Sequence, residues 1–297
     1  MKFLTNKGFL GIVLLIIIGA ICSWLLDGTL LSLSGVWKLI FSFGATLVPG
    51  LLWLWFFYME DKYEKEPKQL LLGVFILGAM AAFTFSKPLT ELFSSNASVL
   101  NPSFFTRFIS SFLVVGMIHM LVIFAIVRYS IYFSDEFNEP ADGVIYSIAA
   151  GLGFAATYNI QYLISLETMD IGVVISRLIN FYLIMAIFSG IMGYFIGFAK
   201  FSKLKNFGRE MFMFLGLILA TFIYSMYNIL ISYLQYIVSS LQKLITNNAG
   251  DGNMPYPIGW EIGISAITVI IIYIIMYFLL NKSVEASPFK NTENKPQ

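Results

Sequence analysis

Long apolar runs separated by short polar stretches recur along the chain. They fall near residues 8–26, 35–58, 70–92, 105–132, 141–165, 172–199, 211–240 and 258–281. About 20 apolar residues carry a helix across a hydrocarbon core roughly 30 Å thick. None of the runs alternates apolar and polar residues as barrel strands do. A segment that crosses lipid must satisfy its own backbone, which leaves the helix. The pattern therefore predicts an all-α, polytopic membrane helix bundle of about eight transmembrane helices. The runs at 105–132 and 211–240 exceed one crossing, which predicts tilt or extension past the lipid.

The breaks are short. They predict a single transmembrane domain over residues 1–282, then a polar, disordered cytoplasmic tail over 283–297. Residues 59–69 form a charged turn in which Glu60, Asp61, Glu64 and Glu66 alternate with Lys62, Lys65 and Lys68. Pro67 marks the start of the next helix, where a missing N–H costs least. Residues 247–257 are rich in Asn, Gly, Asp and Pro and read as a loop. The first run is longer than a signal-peptide core and lacks a small-residue exit, so it reads as an uncleaved span. No fixed-period repeat is visible.

Composition sharpens this reading. Hydrophobic residues make up 58% of the 297 and charged residues only 12%, against about 25% charged in soluble domains. Mean hydropathy is +0.81. Membrane lipids are thus the predicted surroundings. A net charge of +1 argues against a nucleic-acid partner. With Cys22 as the single cysteine, no internal disulfide can form. With the N-terminus inside, the inner segments hold thirteen Lys and Arg residues and the outer ones five. That asymmetry predicts a multi-pass cell-membrane protein with both termini cytoplasmic. Oligomeric state has no signature here.

Four stretches resemble a known family. Residues 58–72 carry Tyr58, Asp61, Glu66-Pro67 and Leu70. Residues 137–163 carry Glu139-Pro140, Asp142-Gly143, Tyr146, Gly151-Leu152-Gly153-Phe154, Asn159 and Tyr162. Residues 112–123 and 188–200 add a helix around His119 and a Gly193-Tyr194-x-x-Gly197 helix. Together they resemble the PrsW family of glutamate-dependent intramembrane proteases, whose clan includes the CAAX-prenyl endoproteases. The resemblance implies a helical frame around an intramembrane active site. It also implies where that site lies. The family's paired glutamates fall at His119 and Met120, and its lysine at Ile123. A further glutamate falls at Tyr158, beside Asn159 and Tyr162. Its histidine falls at Met185, and a later His-x-x-x-Asp pair falls at Tyr224 and Asn228. On this resemblance the motif's catalytic carboxylates are replaced.

The residues themselves permit limited chemistry. Hydrolysis within a membrane needs a water, a base and an oxyanion holder. The chain has one histidine, so a zinc site of three protein ligands has few donors to draw on. No metal and no cofactor are predicted. His119 and Asp142 are the two candidate catalytic groups. An intramembrane ionisable residue often marks a site. The bland reading of His119 is a neutral imidazole bonded to a neighbouring helix. The bland reading of Asp142 is a helix N-terminal charge. Tyr158, Asn159, Tyr162, Asn180, Tyr224 and Asn228 read as one polar cavity between the fifth and seventh spans, or as interhelical hydrogen bonds. Gly190, Gly193 and Gly197 follow helical spacing and read as close-packing positions.

The expected function is a non-catalytic, PrsW-like pseudoprotease that binds single-span or lipid-anchored membrane proteins. The binding positions would be His119, Met120, Ile123, Tyr158, Asn159, Tyr162, Met185, Tyr224 and Asn228. The alternatives are an active intramembrane endopeptidase and, from another class, a transporter or channel.

Overall fold

The computed structural model describes residues 7–26, 28–60, 65–97, 104–249, 258–286 and 288. Helices dominate. In order they are α1 (Lys7–Leu25), α2 (Gly35–Glu60), α3 (Lys68–Ala81), α4 (Lys87–Ala97), α5 (Phe104–Ser110), α6 (Met117–Ile126), α7 (Pro140–Ser165), α8 (Ile171–Phe201), α9 (Asn206–Ala249) and α10 (Ile258–Glu285). A π-helical turn, Ala82–Ser86, joins α3 to α4 without a break. A second, Ser111–Gly116, joins α5 to α6, and a third, Val127–Ile131, extends α6. The ten helices thus form eight rods at the positions of the eight apolar runs. Among the described residues, six rods are long and apolar enough to cross a membrane.

α7 is the central rod. Its apolar window is 83% buried, against 22–56% for the other five candidate spans. Its sequence explains why. Ala141, Gly143, Ser147, Ala149, Ala150, Gly151, Gly153, Ala155 and Ala156 put small groups on every side, so neighbours can approach all round it. Two contacts need glycine. A Cβ on Gly153 would overlap the Phe75 carbonyl of α3, and one on Gly78 of α3 would overlap the Ala150 carbonyl. Likewise Gly143 meets the Gly193 carbonyl of α8, and Gly193 meets the Gly143 carbonyl. Backbone touches backbone on both flanks.

The outer faces of the bundle carry large apolar side chains, among them Trp37, Trp55, Phe83, Phe105 and Phe278, all well exposed. Lipid is the solvent that such a surface requires. Polar side chains bond back onto the backbone inside the π turns. Thr84 Oγ1 donates to Met80 O at 2.9 Å and Ser130 Oγ to Ile126 O at 2.6 Å, both inside π turns. Such back-bonding competes with the helical ladder.

Several boundaries differ from the sequence reading. α9 spans 44 residues, about 66 Å at 1.5 Å per residue, so it exceeds one crossing by about half its length. The helix at the C-terminal end runs on to Glu285, with Ser283 and Val284 buried, rather than giving way to a tail at 283. Most of the rest of the predicted tail, most of the 247–257 loop, part of the charged turn and the first six residues lie outside the described residues.

A two-stranded ribbon closes one end of the bundle and has no counterpart in the hydropathy pattern. β1 (Leu30–Leu31) pairs antiparallel with β2 (Met169–Asp170), Leu30 opposite Asp170. Asp170 also caps α8 by accepting from Val173 N at 3.2 Å, and it accepts from Gly28 N at 2.9 Å. Ser23 Oγ donates to Gly172 O at 2.6 Å. The α1–α2 and α7–α8 connections are therefore clasped together.

The backbone contacts at Gly153 predict a position-specific stability cost. Gly153→Ala is expected to lose about 1–3 kcal/mol through overpacking, since a carbonyl cannot swing aside as a side chain can. Gly73→Ala meets open space and should be neutral or gain up to about 1 kcal/mol from helix propensity. Thermal unfolding of the two variants in the same detergent measures the difference.

Candidate functional site

His119 lies at the middle of the rod that runs from Phe105 to Ile131, and it is 3% exposed. Two tyrosines from two other helices close on it. Its Nε2 lies 3.0 Å from the Tyr158 hydroxyl of α7, and its Nδ1 lies 3.2 Å from the Tyr224 hydroxyl of α9. Tyr158 is in turn 3.1 Å from Ser86 Oγ, at the end of the first π turn. The chain of contacts thus runs Ser86, Tyr158, His119, Tyr224 across four rods. A neutral imidazole donates from one nitrogen and accepts at the other. Both nitrogens are therefore engaged, one as donor to a phenol and one as acceptor from a phenol.

Aromatic rings wall the imidazole. Its centroid lies 4.9 Å from Phe154, 5.0 Å from Tyr158 and 5.9 Å from Tyr224. Phe154 stacks on Tyr158 at 4.9 Å, and Phe188 packs against Tyr224 and Tyr227. Aromatic side chains are common on lipid-facing and interface surfaces. These rings line the chamber instead. Period alone cannot distinguish an inward ring from an outward one on a helix that is apolar on all sides.

The structure divides the predicted polar set. His119, Tyr158 and Tyr224 converge. Met120, Ile123 and Met185 are fully buried core residues. Asn228 and Asn180 turn back onto their own helices, Asn228 Nδ2 to Tyr224 O at 2.9 Å and Asn180 Nδ2 to Ser176 Oγ at 3.2 Å. Asn159 is buried with neither amide atom in a hydrogen bond of good geometry. Tyr162 lies under the Arg177 guanidinium, 4.0 Å from its ring centre. The single cavity expected between the fifth and seventh spans is therefore a smaller tyrosine–histidine chamber with separate satellites.

Asp142 is not part of that chamber. It stands at the third position of α7, about 24 Å along the helix from Tyr158 at 1.5 Å per residue. It forms a capping box with Glu139 and accepts from Asn138 N at 2.6 Å and Glu139 N at 2.7 Å. Its carboxyl lies beside that of Glu66. Tyr146 donates to Glu66, and Lys200 Nζ donates to Tyr132 O, Ser134 O and Phe137 O nearby. The sequence reading placed Glu66 in a solvated turn. It is 5% exposed instead, drawn in by Tyr146 and Asp142. The Glu66-Pro67 and Glu139-Pro140-x-Asp142 segments, far apart in sequence, are thus one polar cluster.

Residues 66–247, which hold both the chamber and this cluster, match the model of the PrsW family intramembrane metalloproteases. The chain belongs to the PrsW family. It is 30% identical over 184 residues to Protease PrsW of Geobacillus kaustophilus, an overlap that covers 62% of this chain and 76% of that one. It is 28% identical over 190 residues to Protease PrsW of Bacillus subtilis, covering 64% and 82%. Protease PrsW of Oceanobacillus iheyensis is 31% identical over 156 residues, covering 52% and 68%. No solved structure matches. The apolar rods and this membership make the chain a multi-pass membrane protein of the PrsW family.

The description of the PrsW family as metalloproteases raises the question of whether this donor set fits a metal. It does not. A catalytic zinc takes three His, Cys or acidic ligands. Around His119 the other donors are neutral phenols and a serine hydroxyl, and both imidazole nitrogens already contact phenols. Among the described residues no three His, Cys, Asp or Glu side chains are grouped to hold an ion. The groups around the imidazole are neutral donors and acceptors in one hydrogen-bonded chain. Among the described residues, no carboxylate is in contact with the imidazole.

Because the chain has a single histidine, its imidazole gives one unambiguous pair of ¹⁵N resonances. Tyr158→Phe is expected to move the Nε2 resonance and Tyr224→Phe the Nδ1 resonance. Each variant should lose about 1–3 kcal/mol by leaving a buried ring nitrogen unpaired. Spectra unchanged in both variants would rule out the bridged imidazole.

Proposed function

We propose that this PrsW-family protein binds transmembrane or lipid-anchored segments of other membrane proteins and does not cut them. One observation carries the reading: the only imidazole is bracketed by two phenols, and among the described residues no carboxylate touches it. Phenols and amides hydrogen-bond a polypeptide well but are poor bases for water at neutral pH. The motif resemblance supports it further, since it sets His119, Met120 and Tyr158 where the family carries acids. Asp142 is remote from the chamber and serves α7's N-terminus. In this reading the protein is one transmembrane domain of eight spans, with both termini in the cytoplasm and a short polar tail.

A second reading has its own support. The relatives that share 28–31% identity over more than half of this chain are named Protease PrsW. On that reading the protein is an intramembrane endopeptidase with His119 as its base, a role that requires one phenol to swing away.

Reconstitution separates the two. Purified protein in liposomes, given a panel of single-span substrates, is expected to leave them intact. A photo-crosslinking residue at Val115, one turn before His119, is expected to capture a single-span segment. Cleavage by the wild type that His119→Ala abolishes would establish the protease reading and end the binding one.

A further inference from the structure

We propose that Arg177 holds the phosphate of a bound phospholipid at the ribbon end of the bundle. This does not rest on whether the protein cuts peptide bonds. Arg177 lies in the second turn of α8, just past the Asp170 cap. Its guanidinium lies over the ring of Tyr162, at 4.0 Å, and reaches Phe181 at 5.3 Å. The residue is half-buried and its Nε is sealed from solvent with no acceptor. Among the described residues, no carboxylate pairs with it and no carbonyl accepts from it.

The other cations near the rods are provided for. Arg128 bonds Glu210 at 2.6 Å, Arg209 bonds Ser202 O, Lys38 bonds Leu166 O, and Lys200 bonds three carbonyls. Lys203, Lys205 and Lys282 are exposed. Arg128 Nη1 and Arg209 Nε also lack acceptors, but among the described residues Arg177 is the half-buried cation with no hydrogen bond or ion pair at any of its nitrogens. A guanidinium over an aromatic face keeps its N–H donors in its own plane, directed away from the ring. That fork suits two oxygens of one phosphate.

Position decides the source of the phosphate. Tyr162 lies within four residues of the end of α7, and Arg177 lies within seven of the start of α8. Both therefore lie near the end of their spans, the level at which aromatic side chains and lipid headgroups meet. Ser165 and Ile164 beside them are exposed. A bilayer presents phosphate there at high local concentration. The lipid would also touch the histidine chamber indirectly, because Phe181 packs 6.1 Å from Tyr158.

The test uses the full-length protein in detergent micelles. Thermal unfolding is measured with dioleoyl phosphatidylglycerol, with dioleoyl glycerol, and with inorganic phosphate at equal concentration. The phospholipid is expected to raise the midpoint by several degrees, and the other two to leave it unchanged. R177Q should abolish the shift and R177K should retain part of it. Equal protection by dioleoyl glycerol would overturn phosphate recognition. Equal protection by inorganic phosphate would assign the site to the free ion instead. Protection by a peptide with a free C-terminal carboxylate, without protection by the phospholipid, would assign it to a polypeptide. Should R177Q fail to fold, the three-ligand comparison on the wild type still decides.

Discussion

The bundle depends on how closely two backbones approach α7. On one flank α3 lies against it through Gly78 and Gly153, and on the other α8 lies against it through Gly143 and Gly193. In lipid the hydrophobic effect does not drive helices together, because the tails are as apolar as the side chains. Packing and short-range dipole contact must do so. Small residues serve this by removing the side-chain layer that would hold the axes apart. The surface ion pair Arg128–Glu210, with Glu210 at 44% exposed, is a minor term beside this, since exposed pairs contribute about 0–1 kcal/mol.

That approach sets the site. With α7 fixed between α3 and α8, Tyr158 and Phe154 are directed toward the rod that carries His119. The π turns complete the alignment. Each adds a residue to one turn and so rotates the remainder of its rod about the helix axis. The turn at Ala82–Ser86 ends on the serine that meets Tyr158. The turn at Ser111–Gly116 ends on Gly116, which packs against Thr221, about one turn before Tyr224, and Ser225, the residue after it. Its Ser111 carbonyl accepts from Ser225 Oγ at 3.1 Å. A strict α-helix through either segment would send Ser86 or His119 to another face.

The rods were legible in the sequence because bilayer thickness fixes the length of an apolar run. Gly193 and Gly197 were legible as contacts because small residues at helical spacing have few other uses. The division of the polar set was not. Asn159 and Tyr158 are adjacent in sequence yet serve different sides of α7, and a helix apolar all round gives no periodicity to say which side is which. The β ribbon was invisible because two residues per strand leave no alternation to read. Glu66 was misplaced for a different reason: in sequence it is one charge among many, and its partners Tyr146 and Asp142 lie some 80 residues away. Aromatic placement was equally hidden, since Phe154 and Phe83 look alike in sequence although one is buried and the other exposed.

Charge placement along α7 ties these features together. At its N-terminus, acids are held by backbone N–H groups and Tyr146, where the helix dipole favours them. At its far end Arg177 lies over Tyr162, near the interface. Between them the helix has no charge, and the imidazole facing it, His119, is bonded to two phenols. A carboxylate placed there would find no free backbone N–H groups in the middle of α7, and burying it unpaired costs far more than any contact in the chamber returns. The present side chains therefore favour neutral partners at mid-membrane. Ionic chemistry is confined to the two ends, where peptide dipoles, water or headgroups can answer it.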